Sequence, residues 1–101
     1  MHVISEKALR AFWTKYTQAA SPLRAWLKLI KHGRFRNFAE LKRTFPTADL
    51  VRLNGRDFYV FDIKGNSHRL VASIHFNTQK LFVRRVMTHP EYDRGDWKKN
   101  P

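Results

Sequence analysis

The feature that most constrains how this chain folds is a change of period at Pro46. Before it, apolar residues recur at helical spacing, first as Leu9, Phe12, Trp13 and Tyr16 and then as Leu23, Trp26, Leu27 and Ile30. After it, apolar and polar residues alternate, most cleanly in His68–Phe76, where Leu70, Ala72, Ile74 and Phe76 take one face and Arg69, Val71, Ser73 and His75 the other. A single switch from a period of about 3.6 to one of about 2 predicts an α+β fold, with N-terminal helices packed on one face of a small antiparallel β-sheet.

Punctuation residues place the elements. Met1–Ile4 reads as a short edge strand and Ser5 as the N-cap of the first helix. Gln18–Ala20 is a connection, Ser21-Pro22 restarts the chain as a cap followed by a first-turn proline, and Gly33 ends the second helix. Asn37–Phe45 is a third helix, with Asn37 as cap and Glu40 at the capping-box offset. Between them, Lys31–Arg36 reads as a solvated basic connector. Strands are expected at Asp49–Leu53 and Arg56–Ile63, joined by Asn54-Gly55, then at His68–Phe76 and Lys80–Thr88. Pro90 opens a brief turn or helix ending near Trp97, beyond which the chain should fray. The whole of 1–101 is expected to be one domain, with helices over about 5–45, a β-meander over about 49–88 and a short C-terminal segment over 90–97. One sheet face is covered by helices, and function belongs on the other, which is at least partly open.

Charge narrows the function. Twenty Lys and Arg against eight Asp and Glu give +12, and the excess is spread along the chain: residues 1–50 hold ten basic and three acidic residues, residues 51–101 ten and five. Such a field attracts polyanions. No cysteine is present, which rules out disulfides and a thiolate nucleophile and fits a reducing, cytoplasmic setting. The N-terminus lacks a signal-peptide layout and no apolar run reaches membrane-spanning length, so no membrane partner is expected. The four glycines are isolated turn residues, which excludes a glycine-rich phosphate loop. His2, His32, His68, His75 and His89 show no ligand spacing, so neither a metal site nor a cofactor is expected.

Arginine and histidine chemistry is what is left. Arg69, in the polar register of a strand, must find an anion, either an acid of its own protein or a phosphate brought to it. Arg84 and Arg85 are adjacent on the last strand, so alternation sends them to opposite faces and only one can join Arg69. His89 follows at the end of that strand, and imidazole suits proton transfer near neutral pH. From the residues alone, Thr88-His89 reads more readily as a helix cap before Pro90, and Tyr92 more readily as packing than as a base-stacking ring.

Several segments together resemble the HigB branch of the RelE-type bacterial toxins. These are Gly65-Asn66, Arg69-Leu70-Val71-Ala72 and above all Phe82-Val83-Arg84-Arg85-Val86-Met87-Thr88-His89-Pro90-Glu91-Tyr92-Asp93, with further likeness in 1–9 and 41–46. The resemblance implies a compact RelE-like sheet whose open basic face binds mRNA in the ribosomal A site. It implies metal-independent cleavage, in which the ribose 2′-OH attacks the adjacent phosphate and a cyclic phosphate and a 5′-hydroxyl result. It further implies neutralisation by a HigA-type helix-turn-helix antitoxin, with operator DNA reached only through that antitoxin.

By the same resemblance, Arg69 matches the arginine that clamps the scissile phosphate, and Arg84, in preference to Arg85, the arginine five positions before the histidine. His89 matches the proton-transfer histidine and Tyr92 the ring that stacks on a base. The positions holding lysines in the best-known branch are Val60 and Asp62 here, so lysine-based proton transfer is not available there. His89 is left as the leading candidate, with Lys64, His75, Lys80 and Arg85 as RNA contacts or helpers. The alternatives are a gyrase-inhibiting toxin on the same scaffold, without nuclease activity, and a plain RNA-binding protein.

Overall fold

The computed structural model describes residues 1–101. Its elements run β1 (His2–Ile4), α1 (Glu6–Lys15), α2 (Ala20–His32), α3 (Phe38–Thr44), β2 (Asp49–Leu53), β3 (Arg56–Ile63), β4 (His68–His75), β5 (Lys80–Thr88) and α4 (His89–Arg94). The strand order is β1-β5-β4-β3-β2. Strands β2 to β5 form the expected antiparallel meander, but β1 pairs parallel with β5, Val3 opposite Leu81, so the sheet is mixed rather than purely antiparallel. The three helices between β1 and β2 carry the chain from one edge of the sheet to the other, and the meander then returns it to β1 as the parallel neighbour β5.

Helices α1 to α3 cover one face. Leu9, Leu23, Trp26, Ile30 and Leu41 interlock there with Phe61, Leu70, Ala72, Leu81 and Val83. Trp26 and Phe45 both meet Phe61 edge-on, at centroid separations of 5.3 and 5.2 Å. Each fully buried leucine, isoleucine or phenylalanine contributes about 1.5–3 kcal/mol, which makes this layer the main source of stability. The Asn54-Gly55 turn has φ of 52° and 77°, the left-handed pair that matches the twist of the strands it joins, and it sets Leu53 opposite Arg56.

Local details depart from the expected caps. Ser5 precedes α1 in a left-handed conformation and its side chain caps nothing. A short 3-10 turn, Thr17–Ala19, runs straight into α2, which therefore begins at Ala20, with Pro22 still in the first turn where a missing N–H costs little. Asn37 does cap α3, accepting from the Glu40 N–H at 2.9 Å. The Glu40 carboxylate closes no box, because it takes the Arg36 N–H and Nε instead. Gly33 ends α2 without a positive φ. Glycine is required because a Cβ there would lie 2.4 Å from the ring of buried Phe35.

Candidate functional site

Alternation sends Arg56, Phe58, Val60 and Asp62 of β3, and Arg69, Val71, Ser73 and His75 of β4, to the face away from α1–α3. On β5, Lys80 lies opposite His75 and Phe82 opposite Ser73. The register then slips: Ala72 pairs with Val83 but Val71 pairs with Arg85, so Arg84 is an extra, bulged residue. Arg85 keeps the register of Val71, while Arg84 donates its Nε to Ser73 Oγ at 3.0 Å. Both arginines therefore reach this face. The expectation that they point opposite ways fails because a bulge breaks the period on which it rests.

The face is half covered. Beyond α4, a 3-10 turn at Asp96–Lys99 buries Trp97 against Phe58, Val60, Val71 and Met87. Tyr92 stacks on Trp97 at 5.7 Å, and the Arg85 guanidinium donates to the Asn100 carbonyl. Fraying after Trp97 is thus not found. Four apolar side chains on a nominally polar face, Phe58, Val60, Val71 and Met87, are what hold the C-terminus down. The uncovered part carries Arg56, His75, Lys80, Phe82 and Arg84.

Arg69 lies at the covered end and is itself buried. Its Nε is 3.2 Å from Asp62 Oδ1 across the β3–β4 pair. Its terminal nitrogens donate to Asn66 Oδ1 at 2.5 Å and to the His68 carbonyl at 3.1 Å, and its guanidinium carbon stands 5.6 Å from the Tyr92 ring centre. The anion it requires is therefore supplied from within the protein. Burial, then the nearby Asp49 carboxylate, raises the Tyr92 phenol above its ordinary value, so it stays protonated at neutral pH.

His89 is the first residue of α4. Thr88 caps that helix in a complete capping box: its Oγ1 accepts the Glu91 N–H, while Glu91 Oε1 accepts both the Thr88 N–H at 3.1 Å and the Thr88 hydroxyl at 2.9 Å. The capping reading is thus correct for Thr88, and it leaves the His89 side chain free of capping duty. His89 Nε2 lies 3.2 Å from Asp93 Oδ2, its Nδ1 is buried with no protein partner, and a third of its side chain is exposed. Its backbone N–H donates to the Ser67 carbonyl at 2.9 Å. The Lys64–Ser67 turn consequently anchors two functional candidates, Arg69 through Asn66 and His89 through Ser67.

Arg69 and Tyr92 are brought into contact, and His89 shares their end of the sheet. Arg84 does not, since Ser73 is four residues along β4 from Arg69, about 13 Å at strand rise. Lys64 is exposed in its turn, with Nζ 2.6 Å from Gln18 Oε1. Sequence reasoning missed Asp62 and Asn66 as partners of Arg69 and Asp93 as partner of His89; the i, i+4 spacing from His89 was the available signal for the last. It also missed His68, which is buried between Phe12 and Tyr16, with burial and Lys64 lowering its pKa.

The family model that matches residues 19–95 is that of the HigB toxin, described as the RelE-like toxic component of a toxin–antitoxin system. The mRNA interferase toxin HigB of Escherichia coli (strain K12) is 41% identical over 92% of this chain and 88% of its own length. The mRNA interferase HigB of Shigella flexneri matches to the same extent, and that of Escherichia coli O6:H1 (strain CFT073) is 32% identical over 93% of this chain and 90% of its own. The chain belongs to the HigB toxin family of RelE-like toxins. No helix is long and apolar enough to cross a membrane.

Proposed function

We propose that this protein is an mRNA endoribonuclease that acts on translated mRNA in the ribosomal A site, in the cytoplasm, and is held inactive by a HigA-type helix-turn-helix antitoxin through which alone it reaches operator DNA. The relatives named mRNA interferase support the reaction class. The observation in this chain that supports it best is the anchoring of Arg69 and His89 to one turn, which sets a cation and a proton-transfer group at the same end of the sheet.

In this reading the ribose 2′-hydroxyl loses its proton and attacks the adjacent phosphorus. The 5′-oxygen leaves and gains a proton, giving a cyclic phosphate and a 5′-hydroxyl. Each terminal nitrogen of Arg69 has one N–H in use, so one on each is left for a phosphate oxygen as negative charge builds. The Tyr92 ring gives way to admit the RNA and offers its phenol or its face to a base. His89 moves a proton, with Asp93 orienting its ring. Lys64, His75, Lys80, Arg84 and Arg85 hold the strand on either side, and the ribosome aligns it.

The test is the chemistry of the cut ends. Purified protein added to a translating extract should leave truncated mRNA ending in cyclic phosphate, and the same mRNA without ribosomes should stay whole. Intact mRNA in the translating extract, or ends bearing a 5′-phosphate, would defeat the proposal. Blocked DNA supercoiling would favour the gyrase alternative.

A further inference from the structure

We infer that the uncovered end of the sheet is a second, separate binding site, which takes one nucleotide of single-stranded RNA by stacking its base on Phe82. The inference rests on the reading of this chain as an RNA-directed toxin and adds where the strand is gripped away from the cut.

Phe82 is half-buried on the face that the C-terminal segment leaves bare, opposite Ser73. Two groups flank its ring: the His75 imidazole, with centroids 5.2 Å apart and planes at 56°, and the Arg84 guanidinium, 5.4 Å from the ring centre. Arg84 is fixed there by its bond to Ser73 Oγ, and Ser73 is itself buried. Arg84 follows Phe82 by two residues and so shares its face by alternation, and the bulge after it brings Arg85 to that face as well. A cavity of about 280 Å³ lies beside Arg84, with Arg56, Asp57, Ser73 and His75 also in its lining and the Asp57 carboxylate taken up by Arg52.

A ring whose neighbours are an imidazole and a guanidinium rather than another hydrocarbon ring, next to a further arginine and a hydroxyl, matches the chemistry of a nucleotide. The base has a face for the ring, and the phosphate has cations on either side. An acidic peptide would satisfy the arginines and leave the ring unused. The roughly 13 Å from Ser73 back to Arg69 is a span that a few nucleotides cross, so one strand can occupy both places. Stacking is indifferent to base identity, which makes the site a grip that sets the path of the strand.

The probe is a short 2′-O-methyl oligouridylate, which cannot be cut because its attacking hydroxyl is blocked. Its binding to the purified protein is followed by anisotropy without ribosomes. Phe82→Ala should weaken binding at least about tenfold, and Phe82→Trp should restore it and show indole quenching as the oligomer is added. Arg56→Ala should weaken it less and flatten its salt dependence. A melting curve establishes that each variant is folded, and the tryptophan variant carries the test if the alanine one is not.

Wild-type affinity in folded Phe82→Ala, an unquenched indole in Phe82→Trp, no binding by the wild type, or equal binding of oligoglutamate would each overturn the inference. Ring-dependent binding in a protein that leaves translated mRNA intact would keep this site and defeat the nuclease reading, so the two fail separately.

Discussion

Asp62 holds Arg69 across the β3–β4 pair, carboxylate oxygen to guanidinium Nε at 3.2 Å, in a protein with twenty Lys and Arg available to it. The pair keeps a buried cation neutralised, and RNA bound at Arg69 as proposed would have to compete with it. Asp62→Asn removes the charge and keeps the shape. It is expected to lower stability by about 1–3 kcal/mol, short of the full cost of an unpaired buried charge because Asp62 is partly open to water. It should also tighten RNA binding several-fold. Chemical denaturation and oligomer anisotropy read the two effects, and unchanged RNA affinity would show that Asp62 does not compete.

The capping box at Thr88 makes His89 placement sensitive to acid. The Thr88 N–H and hydroxyl bond the Glu91 carboxylate and hold its pKa below the ordinary 4.5. A depressed carboxylate stabilises the fold fully above its unfolded pKa and loses that contribution as pH falls through the lower, folded value. Between about pH 5 and pH 3 the wild type should lose more stability than Glu91→Gln. Thr88→Ala should cost about 1 kcal/mol at neutral pH. Parallel pH–stability curves for wild type and Glu91→Gln would contradict this.

His89 tests proton transfer apart from folding. His89→Ala should slow mRNA cleavage at least about 100-fold, the usual scale for a general acid or base, with little change in melting temperature. Asp93→Asn should have a much smaller effect, because Asp93 is well exposed and only orients the ring. An unaltered rate in His89→Ala would return the residue to the helix cap alone.

Most of the sheet was legible because its strands obey alternation and its hairpins use left-handed turn residues such as Asn54-Gly55. What was hidden breaks a period without a local marker. The bulge at Arg84 has no glycine to announce it and depends on pairing with β4. The C-terminal cover was legible in principle. Phe58, Val60, Val71 and Met87 all fall on the face read as polar, and such a patch needs a lid, for which Trp97 and Tyr92 were the available rings. The site was legible as residue types and only partly as geometry. Arg69 and Tyr92 meet, whereas the distance of Arg84 follows from side-chain partners, Ser73 and Phe82, that no spacing rule names.

The two N-terminal tryptophans separate packing from exposure. Trp26 is 4% exposed and meets Phe61 edge-on, so Trp26→Ala should cost about 3–5 kcal/mol. Trp13 is only half-buried, under the Arg24 guanidinium at 5.0 Å, and Trp13→Ala should cost clearly less. Equal losses in denaturant titrations would mean that Trp13 packs more deeply than described.

The most direct measurement is the rate of mRNA cleavage in a translating extract by the wild type and by folded Arg69→Ala and Arg69→Lys. The wild type is expected to leave truncated mRNA with cyclic-phosphate ends. Arg69→Ala should slow that cleavage by about 100- to 1000-fold, and Arg69→Lys should recover little of it, since an ammonium lacks the planar fork that meets Asn66 and a phosphate oxygen together. Full-rate cleavage by Arg69→Ala, or intact mRNA with the wild type, would contradict the assignment of Arg69 to the centre of an RNA-cleaving site.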